Sequence, residues 1–516
     1  MNRPRFVHLI LLPATLCVAT AQHVTVPLNH QVYPLLIKGE TLGLFDSYAL
    51  RVLPLTRGEA HTLLKQMDEQ RRDLSKADEA LLQQLLGEFS DPNIGERLPE
   101  DGEIHAYRFE EGSTQLFFDV RGIQELEIHR DHVELPDETI SRTTAAGNIR
   151  GRFGKHLFFG MDARSGMTLG AEDQEERFDV GRGATQVTVG KGVFTDQATG
   201  YVTAHAGPMR FSVGRMYFGW GSGLQEQLGL AVLNEPMDQV HFSLDFKRFR
   251  FTYVHANLQG IGLQRFLAGH RLDVLLGGGV QIGAYETVVY ANRGAELAYL
   301  NPLVPYHIIE HQLGDRDNNT FGIDAATILA PGLRAYAEIF LDDFSLDFPL
   351  GTYWGNKLAY MAGIHWAQPL QVRELEVFAT FTRVDPFVYT HDDSLNVYAH
   401  YGASLGSRLG PNAERFHLSL LLRPTRDVTC SFGYDYVRKG KGDLFTAHRS
   451  EEGTAKGFLS GILETSHLVG LDLRYQFSRD MFAGLKAAYA RRENANLVSQ
   501  LSAREKTARL YLDINY

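Results

Sequence analysis

The chain has 516 residues, 62 acidic against 51 basic side chains, a formal net charge of -11 and 22% charged residues. That acidic balance argues against nucleic acid as a partner. Beyond the first segment no run approaches the roughly 20 apolar residues of a transmembrane helix, so any membrane span must be built from strands of about 10 residues with alternating polarity.

Arg3 and Arg5 precede an apolar run from Phe6 to Val18, and the small residues Ala19 and Ala21 stand before Gln22. This is the layout of a secretory leader, so residues 1–21 are expected to be removed. Leu16 precedes Cys17 where a lipoprotein signal needs Gly, Ala or Ser, which argues against lipid attachment. The mature chain then keeps Cys430 alone, which excludes an intramolecular disulfide; in its alternating strand it reads as a small apolar side chain.

Residues 22–98 carry a helical period. Val32, Leu35, Leu36, Leu42 and Leu44 form one stripe, Thr56-x-x-Glu59 reads as a capping box before Leu63, Leu64 and Met67, and Ser75 caps a segment with Leu81, Leu82, Leu85, Leu86 and Phe89. The pattern predicts a small N-terminal α-helical bundle of about three helices. Because it follows the leader it is placed in the periplasm, as a cap or plug.

Residues 99–516 change to a period of two. Val240, Phe242, Leu244 and Phe246 meet Phe249, Phe251 and Tyr253 across Lys247-Arg248. Phe416 to Leu422 turn at Pro424 to Asp427 into Val428 to Tyr436, and Val469 to Phe477 turn at Ser478 to Asp480 into Met481 to Tyr489. A soluble sandwich shows the same alternation, and the two chain ends decide between them. The last seven residues set Leu510, Leu512, Ile514 and Tyr516 on one face of a strand and end on that aromatic. A terminal aromatic of this kind looks like the sorting signal read by the barrel assembly machinery of the bacterial outer membrane.

The predicted fold is therefore an all-β transmembrane antiparallel β-barrel of about 16–18 strands, even in number, embedded in outer-membrane lipid with both termini in the periplasm. Short turns at Lys247-Arg248, Leu329 to Gly332, Ala367 to Arg373, Pro424 to Asp427 and Ser478 to Asp480 fall inside. The long connections Gly219 to Gln239, Leu300 to Asn319, Asp342 to Asn356, Asp385 to Asn412 and Val437 to Ser466 fall outside, and the lumen is expected to be polar.

The outer connections carry distinctive runs: Gly214-Arg215 to Trp220-Gly221-Ser222-Gly223, Leu300-Asn301-Pro302-Leu303, Asp342-Asp343-Phe344, and Arg383-Val384-Asp385-Pro386-Phe387-Val388-Tyr389-Thr390-His391. In their order and spacing these resemble the capsule assembly proteins of Wzi type, with Ser222 where that family usually has proline and Tyr516 where a final Phe is commoner. The resemblance implies a lectin-like, non-enzymatic barrel that holds capsular or other surface polysaccharide at the cell exterior, without a cofactor.

A glycan offers apolar C–H faces ringed by hydroxyls, so its site needs aromatic platforms and hydrogen-bonding groups. Trp220, Tyr353, Trp354, Tyr389 and Tyr401 are the candidate platforms. Glu235, Asp342, Asp343, Asp385, His391, His400 and Asn412 are the candidate polar groups. The structural alternative is that these aromatics form an interfacial girdle and the charges brace the lumen. A porin or substrate-selective channel is the competing function. Asp315-x-Asp317-Asn318-Asn319 lacks the full twelve-residue calcium pattern, and His391, Asp392, Asp393 and Ser394 do not by adjacency make a catalytic site.

Overall fold

The computed structural model describes residues 23–90, 104–133, 137–170, 185–232, 235–262, 264–349 and 351–515. The leader through Gln22, the expected change of period at Pro99, Asn234 and the terminal Tyr516 lie outside the described residues.

Three helices open the chain: α1 (Val32–Thr41), α2 (Arg57–Glu69) and α3 (Lys76–Phe89). Thr56 Oγ1 accepts the Glu59 N–H at 3.2 Å while the Glu59 carboxylate accepts the Thr56 N–H at 2.8 Å, and Ser75 Oγ accepts the Asp78 N–H at 3.1 Å. Each cap satisfies amides that a first helical turn leaves without partners. Helices this short are marginal alone. They persist because Leu35, Leu36, Leu63, Leu64, Leu81, Leu82, Leu85 and Phe89 close over one core, each buried side chain contributing about 1.5–3 kcal/mol.

Among the described residues eighteen antiparallel strands, from Thr114–Arg130 to Ser502–Asn515, close into a barrel, with the short strands Tyr107–Glu111 and Thr185–Val189 paired onto it. The last strand seals it against the first, with Leu510 opposite Leu126 and Ile514 opposite Gly122. The alternation sets the register: Phe242 faces Tyr253, Leu422 faces Cys430 and Leu471 faces Ala487. Leu473, Tyr475, Phe477, Leu510, Leu512 and Ile514 stay exposed on the outer wall, an apolar band that a bilayer covers and water would not.

The short turns gather at the end that carries the helices. Tyr48 donates its hydroxyl to Phe246 O, the Gly332 N–H reaches Thr41 O at 3.2 Å, and Lys38 Nζ reaches Arg373 O at 2.8 Å. Asp78 anchors the same end. Its carboxylate meets Lys38 at 2.6 Å and Arg423 at 2.8 Å; burial opposes its ionisation, but these cations outweigh it and hold the group below the ordinary carboxylate range.

The lumen carries buried polar groups, and part of it is also filled by an apolar core. The outer connection after Met209–Met216 descends into the barrel, where Gly219 and Trp220 pair antiparallel with Leu53 and Val52 from the α1–α2 connection. Around this contact Leu228, Leu230, Tyr285, Tyr336, Phe340, Met361, Tyr389, Tyr398 and Leu405 form a continuous apolar core. The inward faces of the strands around it mix apolar residues such as Tyr336 and Phe340 with buried charges such as Arg334 and Glu338 on the same strand. The filling is one-sided. On another stretch of wall Asp472 and Lys486, 3.5 Å apart and pointing away from the lipid-facing Leu471 and Leu473, remain 38% and 53% exposed.

Candidate functional site

The buried contact between bundle and loop is built from polar groups as well. Arg51 binds the Glu40 carboxylate at 2.8 and 2.6 Å, donates to Ser222 O at 3.2 Å, and accepts the Gly221 N–H at its own carbonyl at 2.9 Å. Ser222 donates its hydroxyl to Asp324, which also holds Arg271. A proline has no such hydroxyl, so the serine replaces turn stiffness by a side-chain tether. Gly221 has φ +138 and a Cβ there would meet the Gln227 side chain at 2.9 Å, which is why the run around Trp220 needs glycine.

Six of the twelve candidate residues lie in the framework beneath the outer surface. Trp220 is 1% exposed and Tyr389 is 0% exposed, so neither presents a ring to a polymer outside. Tyr389 donates to Leu228 O at 2.7 Å, and its own N–H, held at φ +70, donates to Asp342. His400 Nδ1 accepts the Gln259 N–H at 3.0 Å, which leaves the proton on Nε2, facing Pro236 O at 3.4 Å; burial pushes this imidazole down to about 4. Asp385 pairs with Lys456 at 2.6 Å and Arg383 at 3.0 Å. Asn412 accepts the Leu459 N–H at 2.6 Å and donates to Lys441 O at 2.8 Å. In this structure Trp220, Asp342, Asp385, Tyr389, His400 and Asn412 are buried and fasten the loops, with little surface turned outward.

The remaining six stay at least partly open. Trp354 and Tyr353 sit on the connection between Leu333–Asp343 and Lys357–Ala367. The Trp354 ring stacks on His448 with centroids 3.7 Å apart and planes 3° from parallel, and Phe387 meets it edge-on at 6.0 Å. Tyr353 stacks on Phe348 at 4.1 Å. Three outer connections thus converge on one aromatic cluster, fastened below by the Asp385–Lys456 pair and by Asn412. Asp343 is exposed and lies 3.6 Å from Lys357; Lys357 in turn acts on half-buried His391, whose imidazole is pushed below its ordinary range first by burial and then by that cation. Glu235 and Tyr401 form a separate group, with Glu235 accepting from Gln197 Nε2 at 3.2 Å and Tyr401 packed against His400 at 4.4 Å.

His448, Phe387 and Phe348 were not among the sequence candidates. His448 and Trp354 are remote in sequence, and only the fold stacks them. An unpredicted helix, α4 (Tyr306–Leu313), follows the Leu300 to Leu303 run. Its first amides, Tyr306 and His307 N–H, donate to the Glu286 carboxylate at 2.9 and 2.6 Å, an anion at the positive end of the helix. In the oxygen-rich segment that follows, Asp317 is taken by Arg293 at 2.9 Å and by the Tyr299 hydroxyl at 2.8 Å.

A closed eighteen-stranded barrel with a lipid-facing apolar band, its lumen filled partly from both ends, is an outer-membrane β-barrel. The family model of the capsule assembly protein Wzi matches residues 195–507, more than half of the chain, and the chain belongs to that family. Among solved structures it is similar to Wzi of Escherichia coli, an outer membrane protein involved in group 1 capsule assembly and a carbohydrate binding β-barrel. That likeness has a TM-score of 0.60 at 14% identity, covering 95% of this chain and 99% of that one, and it establishes the fold. OprD of Pseudomonas aeruginosa aligns at a TM-score of 0.46 and 12% identity, over 78% of this chain and 93% of its own. OccAB1 of Acinetobacter baumannii aligns at 0.46 and 9%, over 78% and 96%. No curated protein sequence matches the chain.

Proposed function

We propose that this barrel binds a capsular or other surface polysaccharide at its outer rim and helps attach or assemble it at the cell exterior without altering it chemically. The observation that carries this reading is the convergence of three outer connections on the Trp354–His448–Phe387 cluster. Aromatic faces there suit sugar C–H faces, and Asp343, Lys357 and His391 supply hydrogen bonds on the same rim. Tyr353, Trp354, Asp343 and His391 are the proposed contacts, joined by His448, Phe387 and Phe348 and flanked by Glu235 and Tyr401. Repeated weak contacts along a polymer give retention without a covalent step. The Asp393 N–H donates to His391 Nδ1 at 3.0 Å and the Asp393 carboxylate accepts the Leu395 N–H at 3.0 Å, local bonds that hold the turn.

The leader at 1–21 would direct export, the barrel assembly machinery would insert residues 99–516 into outer-membrane lipid, and residues 22–98 would remain periplasmic. The half-exposed Asp472 and Lys486 favour a second reading, a narrow solute path along that wall.

The test replaces Tyr353, Trp354 and His448 together by Ala and compares cell-bound with released polysaccharide at equal surface abundance of the barrel. Binding at the rim predicts a shift toward released polymer. Unchanged retention removes these residues from the site, and unchanged retention after deletion of the whole gene removes the function.

A further inference from the structure

The opposite end of the barrel holds a small cavity of about 80 Å³ between the segment before α1 and the strands Ala413–Thr425, Val428–Lys439, Glu464–Ser478 and Met481–Glu493. Its wall includes Arg423, Arg426, Arg474, His30 and Gln476. Two of these groups are already matched: Arg426 Nε meets the carboxylate of Asp427, itself part of the wall, at 2.7 Å, and His30 Nε2 meets Glu88 at 2.8 Å.

Arg474 is not matched. Its guanidinium lies over the Phe482 ring at 3.8 Å, and among the described residues it makes no salt bridge. Arg423 is 3% exposed; one nitrogen is held by Asp78 at 2.8 Å, but its Nε is buried without a hydrogen-bond partner. A buried donor without a partner costs about 1–3 kcal/mol, and two guanidiniums with one free carboxylate-sized space between bundle and wall offer forked donors to a planar or tetrahedral oxyanion. The cavity holds several waters by volume, hence one such group.

We propose that this cavity is an oxyanion site in which Arg474 and Arg423 Nε hold a phosphate or carboxylate group presented from the periplasm. Such a group occurs on free phosphate and on acidic glycans. The site stands apart from the outer aromatic rim and does not depend on glycan binding there. Because both Arg423 and Asp78 join the bundle to the wall, an occupied site also braces that junction.

The test uses the purified full-length barrel in detergent, titrated calorimetrically with inorganic phosphate and, separately, with glucuronate. Arg474→Gln is the informative variant because its guanidinium stacks on Phe482 and carries no salt bridge; heat-modifiable migration checks its fold. One saturable site is expected, weakened about tenfold or more in Arg474→Gln, as loss of a charge-assisted hydrogen bond implies, and partly restored in Arg474→Lys. Phosphate binding alone assigns a phosphoryl ligand, glucuronate binding alone assigns an acidic sugar, and binding of both assigns a general oxyanion site. Saturable binding of neither, or binding undiminished in a folded Arg474→Gln, overturns the proposal.

Discussion

Val52 and Trp220 are antiparallel β partners inside the barrel, although Val52 comes from the helical bundle and Trp220 from an outer connection. The two ends of the molecule are therefore one folded unit. The bundle is not a detachable cap, since removing it would take away Val52 and the Arg51 contacts on which the descending loop rests.

Trp220→Ala should accordingly act on stability. The ring is 1% exposed at the centre of the apolar core, and truncating a buried Trp costs about 3–5 kcal/mol. The expected result is a lower unfolding temperature by heat-modifiable electrophoresis, with polysaccharide retention per folded barrel unchanged. Weaker retention at unchanged stability would return this residue to the glycan site.

Lys456→Met should loosen the outer loops. Lys456 and Asp385 are both nearly fully buried and lie 2.6 Å apart, and stripping one partner from a buried pair costs about 3–5 kcal/mol. Arg383 still faces Asp385, so the loss should fall at the lower end. Limited proteolysis should then cut within residues 439–464 sooner than in the parent, while barrel closure persists. Identical protease resistance would mean that the pair does not fasten these loops.

Acid should weaken the junction between bundle and barrel. Burial pushes the His23 imidazole down to about 3, aided by His205 and Arg210. Its neutral form is favoured in the docked state, so docking is undiminished above the ordinary value of 6.5 and declines as pH falls from there toward 3. Asp78, held below its ordinary range, adds a loss in the same direction at lower pH still. Protection of residues 23–90 against hydrogen exchange, corrected for the intrinsic pH dependence of amide exchange, should therefore fall below pH 6, and His23→Phe should flatten the upper part of that response. Loss of protection on raising the pH instead would contradict the sign.

The caps at Thr56 and Ser75, the turns at the bundle end and the outward alternation of Leu510, Leu512 and Ile514 were legible in the sequence because each depends on neighbours within a few residues. The lumen was not. A loop that leaves the sheet and packs back inside makes Trp220 and Tyr389 core residues, and nothing in their local sequence distinguishes that from a ring on the rim. Asp385 and Asn412 looked like ligand groups for the same reason: their partners, Lys456 and Leu459, lie on another connection. His448 carries no motif at all, and its role follows only from lying parallel to Trp354.

The most direct test of glycan binding at the rim is a titration of purified cell-surface polysaccharide against the folded barrel in detergent, alongside the Tyr353→Ala, Trp354→Ala, His448→Ala triple variant. Stacking contributes about 1–3 kcal/mol for a comparable flat ring, so binding by the parent and a loss of about tenfold or more in a variant of normal heat-modifiability are expected. Equal binding by parent and variant, or no binding by the parent, would contradict it.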